Sequence, residues 1–240
     1  MHESFDTIIL GGGAAGLFCA ATAAQRGRRV VVLERAEKVG AKILISGGGR
    51  CNFTNVGAGP ANYLSANPHF CKSALSRYSP ADFVALIDQY GIAWHEKTLG
   101  QLFCDGSARQ VVDLLLAECD KGPGSVAIRC NEDVTAVDHA DGLFTVTTRS
   151  GQFAAPALVI ATGGPSIPKM GASDFAYRLA RQFGLKVVEP RPALVPLTLG
   201  GEEVLFRDLS GVAAPVEASA NKASFREAAL LDRKSTRLNS

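Results

Sequence analysis

The chain has 240 residues, of which 47% are hydrophobic, so it is long enough to bury one large core or two smaller ones. Its formal net charge of +2 and the lack of a basic stripe argue against nucleic acid as a partner. The six cysteines show no C-x-x-C pairing, which is typical of a reduced, cytoplasmic protein, and the four scattered histidines offer no metal site.

The predicted elements begin with an apolar strand at residues 5–10, followed by Gly11, Gly13 and Gly16 in G-x-G-x-x-G spacing. Gly11 permits a tight turn, Gly13 lets the main chain approach a diphosphate, and Gly16 lets a helix pack closely against the sheet. A helix rich in alanine follows at once and is predicted to end at Gly27. The free N–H groups at the start of this helix would bind the diphosphate.

A second apolar strand, Arg29–Leu33, ends at Glu34, which lies 18 positions after Gly16. A carboxylate at this point accepts hydrogen bonds from a ribose 2′-hydroxyl and repels a 2′-phosphate, so FAD or NAD is expected. Strand, glycines, helix, strand and acid in this order favour a dinucleotide-binding unit over a chance glycine turn. The uncharged stretch 7–24 is too rich in glycine and alanine for a membrane span, and acidic residues precede it.

Residues 35–78 show little regular pattern, and their centre reads GAKILISGGGRCNFTN at positions 40–55. Three glycines in a row let a main chain approach a ligand, and Lys42 and Arg50 could neutralise phosphate charge there. A flexible surface loop that uses glycines for its turns explains the same residues equally well.

Two helices are predicted next, one capped by Ser79 and one opened by the capping box of Ser107 and Gln110. Two short strands separate them, at residues 92–96 and 101–104. His95 and Cys104 fall in these strands, where a structural histidine and a buried cysteine are the simpler interpretation.

Further strands are predicted at residues 126–130, 134–138, 143–148 and 157–161, followed by a helix at 174–183. The last of these strands ends at Thr162 and Gly163, which would bring bare main chain to the carboxyl edge of the sheet, where open α/β sheets bind ligands. Beyond residue 188 the sequence becomes rich in proline and short β-type runs, at 195–199, 204–206 and 212–220.

Three stretches resemble a known family: IILGGGAAGL, KILISGGGRCNFTN and ATGGPSIPKMGASDFAYRLARQFG. They are similar to the bacterial NAD(P)/FAD-dependent oxidoreductases, also described as aminoacetone oxidase family FAD-binding enzymes or BaiN-like flavoproteins. The resemblance implies an α/β fold with a Rossmann-like FAD-binding domain of the two-dinucleotide-binding-domain type at residues 1–190. The start of an inserted β-rich domain is expected at 191–231. Residues 232–240 look like a non-native tail, so the inserted domain is expected to be cut short.

The resemblance also assigns the cofactor site. FAD would bind through its adenosine ribose to Glu34, with Arg35 beside the ribose, and through its diphosphate to Gly11, Gly13, Ala14, Ala15 and Gly16. Val134 would offer its main chain to the adenine, and Thr162 and Gly163 would close the site. The diphosphate and flavin side would be lined by Lys42, Ser46, Gly47, Gly48, Gly49, Arg50, Cys51 and Asn52.

The function expected is an FAD-dependent oxidoreductase that transfers hydride through the flavin to or from a small organic substrate, with NAD(P)H as a candidate electron donor. Cys51 stands alone in its loop, which argues against a dithiol relay; a packed contact residue is a simpler account of it than a covalent flavin anchor. Three alternatives remain: a truncated FAD-binding module without turnover, a plain NAD-dependent dehydrogenase, and a flavoprotein that modifies tRNA. The near-neutral charge argues against the last.

Overall fold

The computed structural model describes residues 3–191, 212–220, 223–231 and 236–239. The chain divides into two units, Met1–Lys186 and Val187–Ser240. None of the helices in these described ranges combines the length and the apolar character that crossing a membrane requires.

The first unit mixes strands and helices along its whole length. Its strands are β1 (Glu3–Ser4), β2 (Thr7–Leu10), β3 (Arg29–Leu33), β4 (Asn52–Asn55), β5 (Trp94–Glu96), β6 (Gln101–Cys104), β7 (Ser125–Arg129), β8 (Val134–Ala140), β9 (Leu143–Thr148), β10 (Gln152–Ala155) and β11 (Ala157–Ile160). Its helices are α1 (Ala14–Gln25), α2 (Ala41–Ile45), α3 (Lys72–Arg77), α4 (Pro80–Gln89), α5 (Arg109–Cys119) and α6 (Phe175–Gln182).

A parallel four-stranded sheet in the order β11-β2-β3-β7 forms the centre of this unit. Its two middle strands are buried on both faces, with Ile8, Ile9 and Val30 fully inaccessible. Such strands read as continuous apolar runs because neither face meets water. The α/β architecture and its parallel sheet are therefore as predicted.

Two different layers cover the central sheet. On one face, Ile9 and Val30 pack with Ala20 of α1 and Cys119 of α5. On the other face, Ile8 packs with side chains of a second sheet, in which β8, β9 and β10 run antiparallel and β1 joins β10 in parallel. This layering leaves the carboxyl ends of β2, β3 and β11 at one edge of the first unit.

A third, smaller sheet has the order β4-β6-β5 and is antiparallel throughout. Strands β5 and β6 are the two short strands predicted at residues 92–96 and 101–104, whereas β4 follows the second glycine-rich stretch in a segment whose sequence shows little regular pattern. Residues 35–78 contain α2, β4 and α3, which the sequence pattern did not indicate. These elements have only four to six residues, too few to establish a hydrophobic period in the sequence.

The second unit contains the strands β12 (Ala213–Ala220), β13 (Ala223–Leu231) and β14 (Thr236–Asn239), paired antiparallel in that order. The strands predicted at 195–199 and 204–206 lie outside the described residues. Within the expected non-native tail, β14 pairs with the edge of β13. Main-chain pairing of this kind needs no apolar pattern, which is why the sequence did not indicate it.

Candidate functional site

The turn between β2 and α1 is closed by glycines that have no room for a side chain. Gly11 has a φ of +101°, and a Cβ there would lie 2.6 Å from the carbonyl oxygen of Ala161. A Cβ on Gly16 would lie 1.8 Å from the carbonyl oxygen of Gly11. Helix α1 and the end of β11 therefore press directly on this turn, which gives Gly11 and Gly16 the structural roles expected of them.

The start of α1 is open in contrast. Gly13 is the N-cap residue, provides no side-chain cap, and has nothing within 4 Å of the position that a Cβ would occupy. Ala14 and Ala15, the first two helical residues, are exposed. The first N–H groups of a helix lack intrahelical acceptors and carry the positive end of its dipole. This end of α1 can therefore accept an anion from solvent.

Glu34 is fixed at the carboxyl end of β3 by main-chain donors. One carboxylate oxygen accepts the N–H of Gly12 at 2.7 Å, and the other accepts the N–H of Ala36 at 2.8 Å. Each oxygen keeps a lone pair for another donor, so the group remains able to bind a ribose hydroxyl. The role of Gly12 escaped the sequence analysis, although the run of three glycines at 11–13 was its signal.

Two more predicted residues lie against the same edge of the sheet. Thr162 borders the glycine turn, since its Cα is 3.0 Å from the position of a Cβ on Gly11. Val134 follows Glu132, whose N–H donates to the carbonyl oxygen of Glu34 at 2.9 Å. The first glycine turn, Glu34 and Thr162 are thus brought together from three separate parts of the chain, and Val134 lies two residues beyond the hydrogen bond between Glu132 and Glu34.

Lys42 and Arg35 hold the loop that follows Gly163. The Lys42 ammonium donates to the carbonyl oxygen of Ser166 at 3.1 Å and lies 3.3 Å from its hydroxyl oxygen. The Arg35 guanidinium donates to the carbonyl oxygen of Gly171. Both cations lie in the segment that follows β3, and nothing in the sequence pattern indicated Ser166 or Gly171 as their partners.

The second glycine loop, residues 46–51, is fixed by main-chain hydrogen bonds. Cys51 donates to Ser46 at 3.0 Å, Ala108 donates to Gly49 at 2.7 Å, and Cys104 donates to Arg50 at 2.9 Å. The three glycines have φ values of +56°, +66° and +86°, which disfavour other residues. The structure therefore argues against a flexible surface loop, and the approach of this loop to a ligand stays a prediction.

The side chains of this loop divide into exposed and buried groups. Gly48 has nothing within 4 Å of the position that a Cβ would occupy, and the exposed Arg50 guanidinium has no acceptor among the described residues. The thiol of Cys51 is buried, and this burial raises its pKa. Cys51 can therefore meet a ligand only through its main chain, whereas Arg50 is free to pair with an anion.

The described part of the chain brings no three histidine, cysteine, aspartate or glutamate side chains together in a metal-binding group. It does bring together the open start of α1, the fixed carboxylate of Glu34 and the glycine-containing ends of β2 and β11. A sequence profile for the "HI0933-like protein Rossmann domain" matches residues 5–213. The chain belongs to this family. The family assignment agrees with the flavoprotein resemblance of the sequence.

Curated relatives cover most of the chain. It is 52% identical over 229 residues to "Ribosomal RNA dihydrouridine synthase" of Escherichia coli K12, covering 94% of this chain and 56% of the relative. A protein of the same name from Haemophilus influenzae is 46% identical and covers 92% and 55%. The "3-dehydro-bile acid delta(4,6)-reductase" of Clostridium scindens is 29% identical and covers 79% and 46%. The chain thus spans about half the length of these relatives.

Among solved structures, the glycine oxidase of Geobacillus kaustophilus superposes with a TM-score of 0.52 at 19% identity, covering 77% of this chain and 60% of that one. At this identity the likeness establishes the fold alone. The HI0933-like family has the Rossmann fold of FAD-binding oxidoreductases, as predicted.

Proposed function

We propose that the protein binds FAD at the open start of α1 and uses it to reduce a carbon–carbon double bond that is conjugated with a carbonyl group. The observation that carries the FAD part is the uncapped first turn of α1, which lies between Glu34 and the edge at Thr162. Bound FAD supplies two-electron hydride transfer from its reduced form.

The residues present fit this cofactor. The N–H groups of Gly13, Ala14 and Ala15 would bind the diphosphate, and Glu34 would accept hydrogen bonds from the adenosine ribose. The main chain of Val134 would meet the adenine. The second glycine loop and Arg50 would lie toward the flavin, and this second loop is what favours FAD over NAD as the bound nucleotide.

The substrate class is inferred from the names of the relatives. Dihydrouridine differs from uridine by saturation of a double bond conjugated with a ring carbonyl, and a Δ4,6 steroid with a 3-keto group has the same feature. Because identity is 52% with the ribosomal RNA enzyme and 29% with the bile acid enzyme, uridine in ribosomal RNA is the first candidate substrate. The formal net charge of +2 favours instead a small substrate and no nucleic acid. NAD(P)H is the proposed electron donor with either substrate.

All six cysteines are free, and this supports the proposal that the protein works in the reducing cytoplasm.

Cofactor binding is tested by adding FAD, NAD or ADP to the purified chain and following flavin absorbance and thermal unfolding. We expect FAD to be retained through gel filtration and to raise the unfolding temperature more than NAD does. Tight binding of NAD without binding of FAD would instead identify a nicotinamide-dependent dehydrogenase.

Substrate class is tested with the FAD-loaded protein, NAD(P)H, and two acceptors: an unmodified ribosomal RNA fragment and a 4,6-dien-3-one steroid. Consumption of NAD(P)H above the free-flavin background, with hydrogen added to one acceptor by mass spectrometry, supports the proposal. An FAD-loaded chain that reduces neither acceptor is a binding module without turnover. Filter binding of the RNA at low salt decides whether nucleic acid is a partner at all.

A further inference from the structure

One face of the small sheet carries a group of side chains beside the second glycine loop, of which only Asn52 has been given a role above. The strand register places Asn52 of β4 opposite Phe103 of β6, and Phe103 opposite His95 of β5. These three residues therefore form a row across the sheet. Leu102 and Cys104, the neighbours of Phe103 along β6, are fully buried on the other side.

Phe103 connects this row to the glycine loop. A Cβ on Gly47 would lie 2.7 Å from the Phe103 ring, so the ring edge touches the loop backbone. The His95 ring is nearly parallel to that of Phe103, at an interplanar angle of 18° and a centroid distance of 6.2 Å. The ammonium of Lys97 lies 4.1 Å from the centre of the Phe103 ring. His95 and Lys97 thus lie on the same face as Asn52, which is expected on the flavin side.

His95 is held by a carboxylate. Its Nδ1 lies 2.5 Å from Oδ1 of Asp105, and its side chain is 37% exposed. This contact assigns a proton to Nδ1, because the ionised carboxylate can only accept. The other ring nitrogen, Nε2, has no hydrogen-bond partner among the described residues. The imidazole is therefore fixed in orientation and keeps one nitrogen for a ligand.

We propose that this face is a wall of the substrate site and that His95, oriented by Asp105, is the acid that completes the reduction. The inference rests on the proposed function. When hydride adds to the β carbon of a double bond conjugated with a carbonyl, the π electron pair moves onto the carbonyl oxygen. The resulting enolate returns its electron pair to form a C–H bond at the α carbon. Protonated His95 gives that proton from Nε2, becomes neutral, and is protonated again by water.

The position of the wall is tested without turnover by NMR. The chain labelled on its histidine rings is compared in the presence of FAD and of ADP, which carries the same diphosphate and adenosine but no isoalloxazine. We expect FAD to shift the His95 ring signals through the ring current of the isoalloxazine and ADP to leave them unchanged. His139, which packs on Phe144 in the sheet formed by β1, β10, β9 and β8, serves as the internal control. If the His95 signals are the same with bound FAD as with bound ADP, this face does not border the substrate site.

The acid role is tested with His95→Gln, Asp105→Asn and the control His139→Gln. Reduction of bound FAD by NAD(P)H is measured for each variant as the reference step, and it should be unchanged in the control His139→Gln. Reoxidation by the double-bond acceptor should fall by about 100-fold or more in His95→Gln, the usual range for loss of a general acid. Asp105→Asn should fall less and should change the pH profile of this step.

The outcomes separate the two proposals. If the unaltered protein is reoxidised by an acceptor and His95→Gln is reoxidised at the same rate, the acid role is wrong and the proposed function stands. If the unaltered protein binds FAD but neither acceptor reoxidises the bound cofactor, the proposed function fails, and the acid role fails with it.

Discussion

Helices α1 and α4 begin in opposite ways. In α4, the hydroxyl of Ser79 accepts the N–H of Asp82 at 3.3 Å, and the Asp82 carboxylate accepts the N–H of Ser79 at 2.7 Å. Pro80 follows the cap and has no N–H to satisfy. In α1, Gly13 occupies the cap position without a side-chain hydrogen bond, and the first turn contains no acidic residue.

The difference separates a structural helix end from a site. A side-chain cap stabilises a helix by about 1 kcal/mol relative to alanine because it satisfies N–H groups that would otherwise be unpaired. Helix α1 has glycine at this position, which costs roughly a few tenths of a kcal/mol relative to such a cap and leaves the first turn facing solvent beside Glu34. Positions where a sequence departs from the locally favoured choice are expected at functional sites.

The largest effect is expected where the turn before α1 is packed most tightly. Gly16→Ala would place a Cβ 1.8 Å from the carbonyl oxygen of Gly11, so the helix and the turn must separate. We expect a loss of about 3 kcal/mol or more in the free energy of unfolding, measured by urea denaturation. The matched control is Gly13→Ala, which meets nothing within 4 Å and should cost about 1 kcal/mol or less, because alanine is a poorer N-cap residue than glycine. Equal stabilities for the two variants would show that the turn is not packed as described.

The second prediction gives α1 the kind of cap that α4 has. Gly13 has φ −82° and ψ −170°, the extended conformation that an N-cap aspartate adopts. Gly13→Asp should raise the free energy of unfolding by about 0.5 kcal/mol, through the cap and the helix dipole. The same carboxylate takes the N–H groups and repels a diphosphate, so the FAD dissociation constant should rise about 100-fold, or about 2.7 kcal/mol.

Isothermal titration with FAD and thermal unfolding of the apoprotein measure these two quantities. Gly13→Asn serves as the control because it caps the helix without adding a charge, so its loss of affinity should be smaller. If the Gly13→Asp protein binds FAD as tightly as the unaltered chain does, the diphosphate does not bind at the start of α1.

The difference between the starts of α1 and α4 could largely be predicted from the sequence. The N-terminal cap of α4 is indicated within four residues by Ser79, Pro80 and Asp82. The glycine turn and Glu34 are likewise close in sequence, at the two ends of one βαβ unit. Such signals are local, so propensity and spacing suffice to predict β2, α1, β3 and α4. The capping box of α5 was confirmed in part, since the Gln110 side chain accepts the N–H of Ser107 at 3.2 Å, although the N-cap position is Ala108, one residue later.

The parts that the sequence did not indicate depend on distant contacts. Lys42 meets Ser166 across 124 residues, and Arg35 meets Gly171 across 136. Strand β10 has only four residues and was not predicted, because its pairing with β9 and β1 defines it more than its own composition does. Tertiary pairing of this kind overrides local preference and has no periodic signal.

The third prediction removes the cap that α4 has. Ser79→Ala deletes the hydroxyl that accepts from Asp82 and should lower the free energy of unfolding by about 1 kcal/mol. FAD affinity should be unchanged, since α4 packs in the core through Ile87 and contributes no residue to the cofactor site. Urea denaturation and FAD titration on the same protein sample check both statements. A marked fall in FAD affinity would show that the two helix starts are not independent.

The smallest effect concerns the charge in the α4 cap. Hydrogen bonds from the hydroxyl and main-chain N–H of Ser79 lower the pKa of Asp82 below its ordinary value of 3.8. A group whose pKa is lower in the folded state contributes stability above its unfolded pKa and loses that contribution as the pH falls through the folded value. The stability difference between the unaltered chain and Asp82→Asn should therefore be constant near neutral pH and shrink below about pH 4. Urea midpoints of both proteins across this range measure it, and a difference that persists unchanged at the lowest pH would mean that the cap acts through geometry and not through charge.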